Sequence, residues 1–290
     1  MSTAWNLGAV VLGLRSERLA WRKAQGRPET GLRFLPSRQV LTELVDALAC
    51  ALFPMRLGPP DLRVEFEDYF VGSTLDGALQ RLAEQARLEL EQSRHAEVEP
   101  EHAEARAISA TTAFGERLPE LRRLLDADIL ATWERDLAAR SVDEVLLCYP
   151  GVQALIHHRI AHALYDVGLP LIARMVAAIA HTRTGIDIHP GARIQEACFI
   201  DHGTGLVIGE TAVLGARVHL HQHVTLGAAD APPGARRHPL VEDDVVIHAG
   251  ATLLGPITVG AGSVIGGNVW LVESVGPGSR ISQATVNTGA

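Results

Sequence analysis

The chain has 290 residues, which is enough for one large domain or two smaller ones with their own cores. Its formal net charge is −8, so it lacks an overall positive field, and we expect no nucleic-acid partner. Apolar residues make up 47% of the chain but aromatic residues only 4%, so Ala, Val, Leu and Ile must fill the core. Such a core favours a thin, regular architecture.

The first apolar stretch, residues 9–14, is too short to span a membrane. No basic segment precedes it and charged residues follow it at once, so it predicts one face of a helix rather than a signal peptide. Cys50, Cys148 and Cys198 form no C-x-x-C pair, which indicates free thiols in a reducing compartment. We therefore expect a cytoplasmic protein without a membrane partner.

Helical periodicity runs through the first part of the chain. Apolar residues at spacings of three and four predict a helix that contains Leu41, Leu44, Val45, Leu48 and Leu52. A last helical block covers about residues 151–180 and is split near a Gly-Leu-Pro sequence. The histidines of that block, His157, His158 and His162, are expected at the surface or at an interface. These patterns predict an α-helical domain over residues 1–184.

From residue 185 onward the period becomes six, and 17 of the 27 glycines lie in residues 185–290. The recurring aliphatic residues are Ile188, Ile194, Ile200, Leu206, Ile208, Leu214, Leu220, Leu226, Val241, Ile247, Leu253, Val259, Ile265 and Leu271. Four positions after most of them comes a small or β-branched residue, such as Ala192 or Thr204. This repeat predicts a parallel β-helix over 185–290, with three repeats in each triangular coil and the aliphatic side chains inside. The fold class is thus α+β and multidomain.

The six-residue repeat is interrupted once, between Leu226 and Val241. A solenoid accommodates such an insertion as a protruding loop, here residues 228–240, and loops of this kind often bind ligands. The loop ends on a compact cationic group, Arg236, Arg237 and His238.

Several motifs in the second half resemble the serine O-acetyltransferase family of hexapeptide-repeat acyltransferases. They are DIHP at 187–190, DHGTG at 201–205, IGETA at 208–212, RHP at 237–239, AGA at 249–251 and IGGNVW at 265–270. Two helical motifs, LLCYPG at 146–151 and RIAH at 159–162, extend the resemblance, which covers about residues 130–283 well. It implies a left-handed β-helix and transfer of acetyl from acetyl-CoA to L-serine, giving O-acetylserine for cysteine synthesis. It also implies a homotrimer or a dimer of trimers, with the active site between neighbouring β-helices.

The catalytic residues follow from the resemblance. His202 matches the family's general base, and a neutral imidazole can take the proton of a serine hydroxyl as it attacks a thioester. Asp187 matches the carboxylate that orients this imidazole and stabilises its charged form.

The resemblance also assigns serine-binding residues: Asp136, Asp201, Arg237 and His238. A zwitterionic substrate needs carboxylates near its ammonium group and a guanidinium near its carboxylate. Leu137 stands where the family usually has proline, and Arg236 could replace Arg237 as the substrate-binding arginine.

For the co-substrate acetyl-CoA, the resemblance assigns Gly227, Ala228, Ala249 and Gly267 to the path of the pantetheine arm. Small residues there let the backbone bind the amides of the arm at close range. Ordinary corner packing of the coils would equally explain small residues at these four positions.

Three histidines raise a second possibility. His219, His221 and His223 alternate with other residues, so His219 and His221 should project from the same side of a coil, as zinc ligands do in γ-type carbonic anhydrases. That interpretation leaves His202 and the Arg237–His238 pair without a role, and we expect no metal.

Two further functions are compatible with the sequence. One is acetyl transfer to homoserine or a related amino alcohol, and the other is a non-catalytic trimeric scaffold. The chain ends at Ala290, whereas in many family members a terminal isoleucine inserts into the sulfhydrylase, the next enzyme of the pathway. We therefore do not expect that complex.

Overall fold

The computed structural model describes residues 5–24, 35–92, 100–232 and 234–283. The chain divides into two compact units, Met1–Leu35 and Pro36–Ala290. The first unit contains helix α1 (Leu7–Ala24), which includes the apolar stretch that the sequence predicts as helical. No helix within the described ranges is both long and apolar enough to cross a bilayer. Ala290, on which the expectation about the sulfhydrylase rests, lies outside the described residues.

Within its described residues, the second unit begins with eight helices. They are α2 (Arg38–Leu52), α3 (Pro54–Leu57), α4 (Glu67–Gln92), α5 (Pro100–Glu116), α6 (Leu118–Arg135), α7 (Val142–Cys148), α8 (Pro150–Asp166) and α9 (Pro170–Thr184), with a short 3₁₀ turn at Val64–Phe66. Local sequence explains several of their ends. The hydroxyls of Ser37 and Ser141 accept backbone N–H groups at the starts of α2 and α7. Proline occupies the first turn of α8 and α9, and Gly185 ends α9 in the left-handed conformation.

The helical pattern of the sequence is confirmed where it is strongest. The predicted apolar face of α2 is buried, and the block at 151–180 is split into α8 and α9. The surface position expected for His157 and His158 is wrong, because both are more than nine-tenths buried. Helix α8 packs against α6, α9 and the first coil of the β-helix, and its exposed positions are those of Gln153 and Asp166 rather than of these two histidines.

In the part of the chain that the structure describes, fourteen short strands follow. They are β1 (Asp187–Ile188), β2 (Arg193–Ile194), β3 (Phe199–Ile200), β4 (Val207–Ile208), β5 (Val213–Leu214), β6 (His219–Leu220), β7 (Thr225–Gly227), β8 (Leu240–Val241), β9 (Val246–Ile247), β10 (Thr252–Leu254), β11 (Thr258–Val259), β12 (Val264–Ile265), β13 (Trp270–Leu271) and β14 (Arg280–Ile281). All pairings are parallel and form three sheets: sheet A (β1-β4-β7-β10-β13), sheet B (β2-β5-β8-β11) and sheet C (β3-β6-β9-β12-β14). Successive strands lie on successive faces of a triangular coil. The predicted fold class, a helical region followed by a left-handed parallel β-helix, is confirmed.

The register of the coils matches the period of six. In sheet A, Ile188, Ile208, Leu226, Leu253 and Leu271 are aligned partners on neighbouring strands. All fourteen predicted aliphatic positions are buried. At one of the small or β-branched positions, four residues after an aliphatic residue, the side chain is exposed, and this residue is Thr204. The corner between β3 and β4 has two additional residues, and Leu206, rather than Thr204, occupies the inward place there.

A buried ion pair ties the helices to the first coil. Arg159 on α8 donates two hydrogen bonds of 2.7 and 2.9 Å to the carboxylate of Asp128 on α6. The same guanidinium donates to the carbonyls of Ile194 and Gln195, and Asp128 accepts the backbone N–H of Cys198. Both charged side chains are almost completely buried, and the shared hydrogen bonds offset the cost of removing them from water.

One glycine allows the helices and coils to meet closely. A Cβ atom at Gly151, in the first turn of α8, would lie 2.2 Å from the carbonyl oxygen of Ile200. One continuous apolar core then runs from Leu41 in α2 to Leu271 in β13. The prediction of separate domains, 1–184 and 185–290 with a protruding loop at 228–240, stays a prediction.

Candidate active site

The first group of candidate residues lies at the corner where the chain passes from sheet C to sheet A. Asp201 and His202 directly follow β3, and His202 has a left-handed backbone conformation with φ of 54°. The His202 side chain is 74% exposed, and its Nε2 lies 3.6 Å from Oδ1 of Asp201. This corner therefore presents an accessible imidazole beside a carboxylate.

Asp136 belongs to the same group. It follows the last residue of α6, and it lies near enough to His202 that a charged imidazole there would lower its pKa slightly. Its carboxylate accepts a 2.5 Å hydrogen bond from the hydroxyl of Tyr149 and a 2.8 Å hydrogen bond from the N–H of Ala138. The bond from Tyr149 is the main reason that the pKa of Asp136 lies below its usual value, and the same bond raises the pKa of Tyr149 to about 12. Asp136 is thus an anion at neutral pH.

Asp187 lies on β1, in sheet A, where its N–H donates to the carbonyl of Leu206. Among the residues that the structure describes, no hydrogen bond or ion pair joins Asp187 to His202. The carboxylate beside the imidazole is that of Asp201. The predicted orienting role of Asp187 stays a prediction.

The second group lies at the opposite edge of sheet A, where the chain passes to sheet B. The guanidinium of Arg237 donates a 2.7 Å hydrogen bond to Glu210, which lowers the pKa of that carboxyl. The Nδ1 atom of His238 accepts the backbone N–H of Thr211 at 3.1 Å, so the proton of the neutral ring is on Nε2. Burial is the main cause that lowers the pKa of His238, and nearby Arg237 lowers it further.

Gly209 creates the space for His238. A Cβ atom at Gly209 would lie 2.0 Å from the imidazole of His238, so any other residue would displace the ring. The neighbouring Arg236 points elsewhere, since its guanidinium donates to the carbonyl of Pro256 at 2.8 Å. The insertion at 228–240 is thereby held against the following coil.

The two groups are separated within one chain. Asp201 and His202 precede β4, whereas Glu210 follows it, so the strands of sheet A lie between them. The structure brings together Asp136, Asp201 and His202 on one side, and Arg237 and His238 on the other.

The predicted coenzyme residues are divided in the same way. Gly227 and Ala228 lie at the edge of sheet A where the chain leaves it, and Ala228 and Arg237 line an open depression with a volume of about 650 Å³. Ala249 and Gly267 lie on successive coils at the other edge, where a Cβ atom at Gly267 would be 3.2 Å from the carbonyl oxygen of Ala249. A Cβ atom at Gly227 would lie 2.6 Å from Cδ2 of Leu254, so both places are closely packed.

A row of stacked rings lies beside Asp201, and we refer to Phe199, His219, His221 and His248 as the histidine row. Neighbouring ring centroids in the row are 4.2, 4.3 and 4.9 Å apart. The prediction that His219 and His221 project from one side of a coil is confirmed, because both face the carboxylate of Asp201. Burial is the main cause that lowers the pKa of both rings, that of His219 to about 3, so both are neutral at pH 7.

Comparison with known proteins places these features in a family. No protein-family model matches the chain. A plasmid-encoded serine acetyltransferase of Synechococcus elongatus is 52% identical over 266 residues, which cover 88% of this chain and 83% of the relative. The chain belongs to the serine acetyltransferase family. This result confirms the family and the enzyme class predicted from the sequence, an acyltransferase that uses acetyl-CoA.

Solved structures of the family share the fold. Serine acetyltransferase 1 of Entamoeba histolytica, in complex with L-cysteine, has a TM-score of 0.73 and 35% identity, covering 83% of this chain and 86% of that one. The serine acetyltransferase of Neisseria gonorrhoeae, in complex with serine, has a TM-score of 0.56 and 27% identity, covering 85% of this chain and 95% of that one.

Sequence reasoning assigned no role to two residues that organise the site. Tyr149 lies within a family motif, yet only the folded structure shows that its hydroxyl bonds Asp136, thirteen positions earlier. Thr211 also lies within a motif, and its hydroxyl oxygen accepts the backbone N–H groups of Arg237 and His238. A hydroxyl-bearing residue inside a family motif was the signal that could have pointed to both.

Proposed function

We propose that the chain transfers the acetyl group of acetyl-CoA to the hydroxyl of L-serine and so supplies O-acetyl-L-serine for cysteine synthesis. The observation that carries the proposal is the exposed imidazole of His202, held at a corner with the carboxylates of Asp201 and Asp136. A base beside two anions suits a substrate that has both a hydroxyl and an ammonium group.

His202 acts as the general base. Its imidazole takes the hydroxyl proton as the serine oxygen attacks the thioester carbonyl, and a tetrahedral intermediate forms. When the intermediate collapses, the C–S bond breaks and the imidazolium returns the proton to the departing thiolate. The products are the acetyl ester and free coenzyme A, and the enzyme regains its starting state. Asp187 orients the ring and stabilises its charged form.

Asp136 and Asp201 hold the ammonium group of the substrate. Asp136 is well prepared for this role because the hydroxyl of Tyr149 favours its ionised form and fixes one of its oxygens. A neutral acceptor, such as a sugar hydroxyl, would gain nothing from these two charges. The pair therefore selects an amino acid.

Arg237 and His238 bind the carboxylate of the substrate. Arg237 is better placed than Arg236, whose guanidinium is engaged with a backbone carbonyl of the next coil. Because sheet A separates Arg237 from His202 in one chain, the complete site needs a second copy. We propose a homotrimer, alone or paired into a dimer of trimers, in which one chain supplies the base and its neighbour the arginine.

The pantetheine arm of acetyl-CoA lies along the β-helix. The depression beside Ala228 and Gly227 gives it room at one edge of sheet A, and Ala249 with Gly267 expose the backbone at the other. No metal is part of this reaction scheme. The cytoplasmic location and the lack of a sulfhydrylase complex stay predictions.

L-Cysteine should inhibit the enzyme at the serine site. The Entamoeba histolytica relative was solved with L-cysteine, which differs from serine by sulfur in place of oxygen. Its ammonium and carboxylate would engage the same charged residues.

The test is thiol release from acetyl-CoA in parallel reactions with L-serine, L-homoserine, L-threonine and no acceptor. We expect thiol release that depends on L-serine. Inhibition by L-cysteine, which is itself a thiol, is followed instead by the loss of thioester absorbance and should be competitive with L-serine. Faster release with L-homoserine would show that L-homoserine, not L-serine, is the preferred acceptor. No release with any acceptor would favour a non-catalytic scaffold.

A further inference from the structure

The face of sheet C next to the candidate active site carries an unusual group of ligating atoms. Nδ1 of His221 lies 3.3 Å from Oδ2 of Asp201, and Nε2 of His219 lies 4.0 Å from the same oxygen. One nitrogen of each ring and one carboxylate oxygen lie within 4.8 Å of one another. The group thus brings two imidazoles and one carboxylate close together on one face.

The side chains of His219 and His221 each have a ring nitrogen that makes no hydrogen bond within the described residues. The Nε2 atoms of His219 and His221 are buried, and neither has a hydrogen-bond partner within the described residues. In His219 this nitrogen is also the one that faces Asp201, and a buried ring nitrogen without a partner costs free energy that a ligand could recover. The stacking of His219 on Phe199 and of His221 on His248 holds both rings in place without involving their nitrogens.

We propose that Asp201, His219 and His221 form a binding site for a divalent transition-metal ion of the Zn²⁺ type. Zn²⁺ binds imidazole nitrogens at about 2.0–2.1 Å, so the ligand atoms of a tetrahedral site lie about 3.3 Å apart. The separation of Asp201 and His221 already has this value, and His219 needs to approach Asp201 by less than an ångström. Two nitrogens and one oxygen suit this class of ion, and a fourth position stays open for water.

The metal would act as an inhibitor rather than as a catalyst, and this consequence rests on the proposed function. Asp201 is one of the two carboxylates that hold the substrate ammonium group. A metal ion bound to Asp201 neutralises that charge and places a positive charge where the ammonium must enter. Metal and L-serine therefore bind in competition.

The direct test is titration of the full-length, chelator-treated protein with Co²⁺, followed by its visible absorption, which reports a tetrahedral environment. We expect one equivalent per chain. His219→Phe and His221→Phe keep the ring stack but remove the nitrogens, and each should weaken Co²⁺ binding by at least about tenfold to a hundredfold. Equal binding by the original chain and both variants would overturn the proposal.

A matched control is His223→Asn. His223 is two positions from His221, is exposed and has a φ of 58°, a conformation that asparagine tolerates. This variant should bind Co²⁺ as the original chain does. Loss of binding in His223→Asn would mean that the ion is bound elsewhere and would contradict the assignment.

A second titration, with L-serine present, tests the competition. The apparent dissociation constant, calculated from the Co²⁺ that is not chelated by L-serine in solution, should rise linearly with the serine concentration, and an unchanged value in an active enzyme would overturn the shared use of Asp201. The two proposals fail separately. Co²⁺ binding without serine acetylation would contradict the proposed function alone, and serine acetylation without Co²⁺ binding would contradict the metal site alone.

Discussion

The helical region and the β-helix of the unit Pro36–Ala290 are built in different ways. In the β-helix one six-residue pattern repeats, so each coil buries the same kind of residue against the same neighbours. In the helical region each contact is separate, and the buried pair of Arg159 with Asp128 is one of the contacts that join it to the first coil. Regular packing thus leaves the corners free for chemistry, whereas irregular packing concentrates stability in a few residues.

The largest expected effect tests whether catalysis by the residue at the corner between β3 and β4 can be removed without changing the fold. His202→Asn keeps a residue that tolerates the left-handed conformation, and it removes the base. We expect turnover with L-serine to fall by roughly 10²–10⁴ while the melting temperature is unchanged. A near-normal rate would remove His202 as the base.

The next effect tests the dependence of the helical region on one pair. Arg159→Met leaves the Asp128 carboxylate buried without its partner, and we expect the free energy of unfolding to fall by about 3–5 kcal/mol. Urea titration followed by circular dichroism measures it. The control is Arg217→Met, which breaks the exposed pair with Asp244 at a coil corner and should change the stability far less. If the free energy of unfolding falls equally in the two variants, the helical region does not depend on its buried pair more than the β-helix depends on an exposed one.

A smaller effect is expected at the opposite corner of the β-helix. Arg237→Met removes a charge-assisted contact to the substrate carboxylate, and the KM for L-serine should rise roughly tenfold or more while kcat changes less. Arg236→Met is the matched control, because that guanidinium contacts a backbone carbonyl instead. A change confined to the KM for acetyl-CoA would move Arg237 to the coenzyme site.

The smallest effect concerns a hydrogen bond within the helical region, beside the candidate site. Tyr149→Phe removes the hydrogen bond that lowers the pKa of Asp136, so that pKa should rise towards its ordinary value. Asp136 would then become protonated at a higher pH, and the loss of kcat/KM for L-serine on acidification would begin at a higher pH than in the original chain. An unchanged pH profile would show that Asp136 does not bind the substrate in its ionised form.

The sequence predicted the β-helix residue by residue because burial there follows the period of six. The one failure, Thr204, occurs where two additional residues widen the corner that carries His202. The helical region was predicted only as helices, since its packing depends on long-range partners. The burial of His157 and His158 could not be read from their spacing on α8, because it depends on the elements that surround that helix.

In the candidate site, too, the residues at coil corners were predictable from the sequence, whereas the contacts that depend on long-range packing were not. Family motifs supplied the identities of Asp201, His202, Arg237 and His238, which lie at coil corners. They did not supply the bond from Tyr149 to Asp136, which depends on how α7 and α8 follow the end of α6. The approach of Asp201 to the histidine row was likewise hidden, because residues on adjacent coils are about twenty positions apart in the sequence.

The helices that contact the first coil have a further consequence. The strands β1, β2 and β3 form the outer edge of their sheets, and an uncovered edge offers unpaired N–H and C=O groups to any passing strand. Helices α6 and α8 contact β3, and α9 contacts β1, so these helices cap that end of the solenoid. A shortened chain that keeps the coils but lacks α6, α8 and α9 would expose the edges of these strands. We expect such a chain to self-associate in solution by strand addition.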